Sequence, residues 1–213
     1  MLLAFDTATP YVTVALHDGE DTVAERRSEQ RMKHGEQLAP LIEQVLADAG
    51  VVRQDLTALA VGIGPGPFTG LRVGLVTART LAFVLEIPVY GVCSLDVVAV
   101  EAALGADPVG EDFVVATDAR RKEVYLARYD DEGRRQVGPE VVRPADAATE
   151  AAVAGEGAVL YPEAFPRDHD PVLPSAGWLA RAVAEELAEL HDPEPMYLRR
   201  PDAVAPGLPK RVS

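Results

Sequence analysis

Leu2-Leu-Ala-Phe-Asp-Thr-Ala-Thr9 opens the chain with an apolar run that ends in an acid and small hydroxyl residues. Residues 11–16 then alternate around Val12 and Val14, and Asp18-Gly19 supplies a tight hairpin turn. Residues 21–27 read as a third strand, so the protein is predicted to begin as an antiparallel meander. The same opening returns later. A strand over 112–118 runs into Asp118-Ala-Arg-Arg121, then a strand over 123–130, then the turn Asp131-Glu-Gly133.

Working outward, Leu38, Leu41, Ile42, Val45, Leu46 and Ala49 form one apolar helical stripe, with Gly50 as its C-terminal stop. Residues 56–62 read as a fourth strand that enters Gly64-Pro-Gly-Pro-Phe-Thr-Gly70. A second helix follows to residue 86, with Thr69 placed to cap it. Residues 88–92 are strand-like, and Ser94 is placed to cap a third helix through Leu104. In the second half, 136–142 reads as a weaker third strand and 144–154 as a helix starting at proline. Residues 158–161 read as a short strand and 175–190 as a long amphipathic helix. The order strand-strand-strand-helix-strand-helix therefore occurs in 1–104 and again, shortened, in 112–190. That duplication predicts an α/β protein of two related lobes, each a mixed sheet, the second reduced. The boundary falls in 105–110, giving lobes 1–108 and 109–192 and a Pro-rich tail, 193–213, that cannot be helical.

Composition narrows the function classes. The 213 residues are 48% hydrophobic and 25% charged, the profile of a packed globule. A chain of this length buries roughly 70% of its unfolded surface, so it needs neither disulfide nor metal to hold together. The single cysteine, Cys93, permits no disulfide within the chain and suits a reducing compartment. With no basic leader and no membrane-length apolar run at the start, a cytoplasmic protein without a membrane anchor is expected. Lys and Arg number 20 against 34 Asp and Glu, a formal charge of −14. Phosphate backbones attract basic surfaces, so this chain is not expected to grip nucleic acid by itself.

Few segments can carry chemistry. Asp6, Thr7 and Thr9 resemble the phosphate loop of actin-like ATPases, although Asp and Thr also cap strand ends and turns. Gly64-Pro-Gly-Pro-Phe-Thr-Gly-Leu-Arg-Val-Gly74 is more specific and is not a Walker loop. Its helix start could face an anion. The favoured reading is close packing: Gly70, Gly74, Thr77 and Ala78 make a low-relief face that another helix can approach. No two histidines have the spacing of a helical metal site, and His34 reads as structural or interfacial. There is no Gly-x-Ser-x-Gly elbow, and Cys93 reads as an inert core thiol. Asp6 and Asp118 are the symmetry-related acids, expected to face each other across the cleft. Lacking a metal or base partner, they are assigned no catalysis.

Four ordered motifs together resemble a known family. Ile63 to Gly74, the opening Leu3-Ala-Phe-Asp-Thr-Ala-Thr9, Asp118-Ala-Arg-Arg-Lys-Glu-Val-Tyr125 and Pro195-Met-Tyr-Leu-Arg199 are similar to the TsaB (YeaZ) family of bacterial tRNA threonylcarbamoyladenosine biosynthesis proteins. The likeness spans nearly the whole chain. Pro67 departs from it, standing where the family usually has serine, and the second lobe is compact. The resemblance implies a two-lobed actin/sugar-kinase/Hsp70-like (ASKHA) fold, in agreement with the duplication. It implies a non-catalytic subunit whose partners are TsaD, a related metal- and ATP-binding enzyme, and the ATPase TsaE. TsaD transfers threonylcarbamoyl to the adenosine beside the anticodon of tRNAs reading codons that begin with A, so tRNA is met only through the complex.

The family docks through its first two helices, which places His34, Leu38, Leu41, Val45, Gly70, Gly74, Thr77 and Ala78 at a helical interface with TsaD, or with a second copy when alone. A bulky residue at Gly74 would then abolish docking and leave the monomer folded. No cofactor or metal is expected, with a nucleotide at the partner junction left open. Two other readings stay open: an active actin-like ATPase or glycoprotease-type peptidase, and an interaction module unrelated to tRNA. The basic residues Arg199, Arg200, Lys210 and Arg211 are expected to be a solvated tail.

Overall fold

A computed structural model describes residues 1–199. The end of the Pro-rich tail, with Arg200, Lys210 and Arg211, lies outside the described residues. Strand β1 (Leu2–Asp6) pairs antiparallel with β2 (Thr13–His17), which pairs antiparallel with β3 (Thr22–Arg27). On the other side of β1 lie β4 (Ala58–Gly62) and β5 (Val89–Val92), both parallel to it, in the order β3-β2-β1-β4-β5. The helices of this half are α1 (His34–Asp48), α2 (Phe68–Leu85) and α3 (Ser94–Leu104).

The second half repeats the plan. Strands β6 (Phe113–Asp118), β7 (Val124–Tyr129) and β8 (Arg135–Val142) form the meander. Strand β9 (Val153–Ala154) adds in parallel to β6, followed by α4 (Glu156–Leu160), β10 (Asp168–His169) and α5 (Ala176–Ala184). The order β8-β7-β6-β9-β10 is the first sheet again. Two mixed sheets of identical topology make this a two-lobed actin-like α/β fold.

Period-two alternation decides what each sheet face covers. Leu3 and Phe5 of β1 turn with Leu59 and Val61 toward Leu38, Leu41, Ile42 and Val45 of α1 and Leu71 and Leu75 of α2. Ala4 and Ala60, between them, turn to the opposite face against Leu179, Ala180 and Val183 of α5. Each large side chain so buried contributes about 1.5–3 kcal/mol. On the second sheet, Phe113, Val115 and Tyr129 pack on Leu95, Val98, Ala99 and Ala102 of α3. The lobes therefore exchange helices across the sequence boundary expected at 108/109, because α5 returns to the first sheet while α3 serves the second.

Four local expectations are corrected. Residues 144–154 are a 3-10 turn (Pro144–Asp146) followed by strand β9, because Val153 and Ala154 find a parallel partner in Val114 and Val115. Residues 158–161 belong to helix α4 and its end rather than to a strand. Helix α5 stops at Ala184, where the chain turns through Glu186 at φ +54° toward His191, which bridges Gly91. Neither Thr69 nor Ser94 caps a helix: Pro67 and Cys93 hold those positions, and Thr69 and Ser94 lie inside the helices.

Candidate functional site

The loop after β1 is locked into the first lobe. Asp6 is buried at the strand end, its Oδ1 accepting from the Ala8 amide at 2.6 Å and its Oδ2 from the Ser94 hydroxyl at 2.5 Å. Gly62 makes room for this carboxylate, since a Cβ there would sit 1.8 Å from Asp6 Oδ2. Burial raises the Asp6 carboxyl above the ordinary carboxylate value, while the hydrogen bonds from Ser94 and Ala8 act to lower it. Thr7, fully buried, donates from Oγ1 to the Gly70 carbonyl at 2.9 Å. The His34 imidazole donates from Nε2 to the Thr9 carbonyl at 2.7 Å. The Gly-Pro-Gly-Pro loop closes over the same residues: a Cβ at Gly66 would lie 2.3 Å from the Ala8 carbonyl, and one at Gly70 would lie 2.4 Å from that of Thr7. All three donor–acceptor systems are spent on the protein's own backbone and Ser94.

Asp118, at the end of β6, lines the cleft between the lobes with Thr9, Ser94 and Glu156, whereas Asp6 is buried behind Ala8 and Ser94, so the two acids expected to face each other are not both open to the cleft. The Asp118 carboxylate accepts from the Arg120 amide at 2.8 Å and ion-pairs with its guanidinium at 3.3 Å. The Arg31 guanidinium lies 3.7 Å from Glu156 across the cleft, and Arg120 also reaches the Met32 sulfur at 3.7 Å. The hollow these residues line is about 20 Å³, and a second of about 250 Å³ opens beside it between Gly66, Pro67 and Phe68 of the first lobe and Ala119, Arg120 and Arg121 of the second. One water needs about 10–15 Å³ by this measure, and ligand pockets run to roughly 300–1,000 Å³.

The expected docking residues lie inside the lobe. His34, Leu38, Leu41 and Val45 are buried on α1, and Gly70, Gly74 and Ala78 are buried on α2, with Thr77 half-buried. Gly70 and Gly74 admit the protein's own Thr7, not a foreign helix. The outward face of α2 was missed. Phe83 is 84% exposed, Val84 68% and Val76 60%, on the side of the helix turned away from the sheet. The signal was present: α2 carries apolar residues around its whole circumference, more than one buried stripe requires. It is 18 residues long with mean hydropathy 1.4, enough by length and composition to cross a membrane, yet its inner stripe is committed to the first core.

Burial pushes the Cys93 thiol up to about 12, so the nucleophilic thiolate is suppressed. Among the described residues no three His, Cys, Asp or Glu side chains gather as metal ligands. A buried cluster joins the lobes instead: the Tyr129 hydroxyl donates to Asp96 Oδ1 at 2.7 Å, and Arg135 lies 3.3 Å from the same oxygen.

Comparison with known proteins adds to this geometry. A family model described as TsaD, tRNA N6-adenosine threonylcarbamoyltransferase, matches residues 22–170. An uncharacterized protein of Mycobacterium tuberculosis is 46% identical over 207 residues, 95% of this chain and 93% of its own. The tRNA threonylcarbamoyladenosine biosynthesis protein TsaB of Escherichia coli strain K12 is 33% identical over 223 residues, 93% of this chain and 94% of its own. The solved structure of YeaZ from Pseudomonas aeruginosa superposes with a TM-score of 0.74 at 31% identity, covering 92% of this chain and 99% of that one.

Proposed function

The chain belongs to the TsaB family, and from that membership we propose that it serves tRNA threonylcarbamoyladenosine biosynthesis in the cytoplasm as a non-catalytic subunit. It docks on TsaD, the threonylcarbamoyltransferase whose family model it matches, and activates it together with the ATPase TsaE. Alone, the same face pairs two copies.

The observation that carries this reading is the outward face of α2. Val76, Phe83 and Val84 expose large apolar side chains on the outward face of one helix of a strongly acidic protein, and exposed apolar surface marks interaction sites. Large side chains at the centre of an interface supply most of its energy. The non-catalytic half of the proposal is supported by the β1 loop, whose groups are engaged internally. A nucleotide, if one is used, is then held at the junction with TsaD rather than in this chain's own cleft.

The test is co-purification of the chain with TsaD, paired with nucleoside analysis of a strain depleted of the chain. Loss of threonylcarbamoyladenosine on depletion and a stable complex in vitro are expected. Normal levels of the modified nucleoside, or steady ATP hydrolysis by the pure chain that Asp6→Ala abolishes, would refute the proposal.

A further inference from the structure

A hollow of about 900 Å³ opens beside α5, walled by β3, the C-terminal half of α3 and the start of α5. That is the size of a small-molecule site. Most of its polar groups are already spent. Arg26 makes a two-pronged pair with Asp48, and Arg181 makes one with Glu185 while lying 4.7 Å over the Trp178 ring. Glu25 Oε1 accepts from the Thr13 hydroxyl and the Gly177 amide. The neighbouring amides of α5 are taken too, Ala176 donating to Thr13 and Trp178 to Ser175. His17 is buried, its Nδ1 accepting from the Gly19 amide, and Glu20 and Asp21 stand exposed at the rim in the turn between β2 and β3.

Two lining groups of opposite charge stay unpaired. The Glu101 carboxylate, on α3, makes no hydrogen bond or ion pair among the described residues, and its Oε2 is buried without a partner. The Arg27 guanidinium, at the end of β3, likewise makes neither among the described residues. Burial pushes the Glu101 carboxyl up to about 7, helped by Glu25 and Asp170, and the Arg27 charge opposes the rise. The two groups therefore feel each other across a gap that their own side chains do not close. A carboxylate kept partly buried without a partner costs stability, and titratable groups held at such a cost collect at functional sites.

We propose that this hollow binds a free α-amino acid, whose ammonium donates to Glu101, whose carboxylate accepts from Arg27 and whose side chain lies toward Trp178. A zwitterion answers both unpaired charges at once, where a simple cation or anion answers one. Guanidinium holds a carboxylate through two parallel N–H bonds, and a carboxylate takes an ammonium through charge-assisted ones. The cation is not a metal ion, because among the described residues no three His, Cys, Asp or Glu side chains gather to ligate one. Nor is the anion a phosphate at the start of α5, whose amides are spent on Thr13, Glu25 and Ser175. The site is independent of the docking reading: α5 covers the face of the first sheet opposite the one that carries α2.

Trp178 is the sole tryptophan of the chain, so its emission reports on the hollow. The full chain at pH 8, where Glu101 is ionised, is titrated with L-leucine, L-threonine and L-lysine, followed by fluorescence and by calorimetry. Propylamine and propionate, each carrying one of the two charged ends, are titrated in parallel. Saturable binding of at least one amino acid is expected, at least tenfold tighter than that of either single-ended probe. Glu101→Gln and Arg27→Gln are each expected to weaken it at least tenfold while keeping the parental circular dichroism. No saturable heat or emission change with any of the three amino acids across the millimolar range overturns the proposal. So does equal affinity for propylamine or propionate, a comparison made on the parent chain and independent of how the variants fold. Amino-acid binding that both substitutions leave unchanged overturns it as well.

Discussion

A side-chain carbon at Gly74 would lie 2.3 Å from the Thr7 hydroxyl oxygen, so the absence of a side chain there is what lets helix α2 settle on the loop that follows β1. Real Cβ contacts do not come that close, and Thr7 cannot yield because its hydroxyl is tied to the Gly70 carbonyl. Gly74→Val is therefore expected to destabilise the isolated chain by about 1–3 kcal/mol, as overpacked core sites do. At about 2–4 °C per kcal/mol for a chain of this size, thermal unfolding should drop by several degrees. An unchanged melting temperature would show that the loop and helix are not packed as described. The expectation that a bulky residue here spares the monomer is thereby reversed.

The docking surface is probed on the other side of the same helix. Phe83→Asp and Val76→Asp remove apolar area already in water, so each should leave monomer stability within about 0.5 kcal/mol of the parent. Co-purification with TsaD should fall sharply. Folded variants that still bring down TsaD at parental yield would move the interface elsewhere.

The first eight strands were readable because alternation, turn chemistry and flanking glycines agree along residues 1–142. Residues 144–161 were misread for a physical reason. The alanine-rich run before Val153 has helical propensity, but β9 is a two-residue strand fixed by pairing with β6, which no local pattern announces. Gly155 and Gly157 let α4 sit against Ala116: added Cβ atoms would lie 2.3 Å from its carbonyl oxygen and 2.7 Å from its Cβ. The site shows the same limit. Gly70, Gly74 and His34 were rightly singled out as unusual, but a row of small residues says only that something approaches closely. It does not distinguish a partner's helix from the chain's own loop.

Stability should depend on pH through Glu101. Burial raises this carboxyl from 4.5 to about 7, aided by Glu25 and Asp170 and opposed by Arg27. Its Oε2 has no hydrogen-bond partner among the described residues. The native state then holds the proton more tightly than the unfolded chain, so stability is greatest below the ordinary glutamate value and falls as pH rises toward about 7. Glu101→Gln should flatten that slope and stabilise the protein at pH 8 by about 1 kcal/mol, a figure discounted for the group's partial exposure. Urea midpoints at pH 5 and pH 8 check it. Equal pH slopes in parent and variant would contradict it.

Cys93 offers a direct readout of core integrity. With its thiol buried and pushed up to about 12, it should resist iodoacetamide at pH 8 in the native state and react fully in denaturant. Mass spectrometry of the native sample after labelling should show no adduct. Rapid native alkylation would mean that the α3 start opens readily.

Because α5 caps the first sheet although its residues lie near the far end of the chain, neither half carries its own complete interior. Synthesis on the ribosome must reach Ala184 before the face presented by Ala4 and Ala60 can be sealed. A gene cut at the linker would yield two fragments, each with a bare apolar surface. Such pieces are expected to precipitate singly and to regain structure only when mixed, so the two lobes were free to duplicate in sequence but are no longer free to live apart.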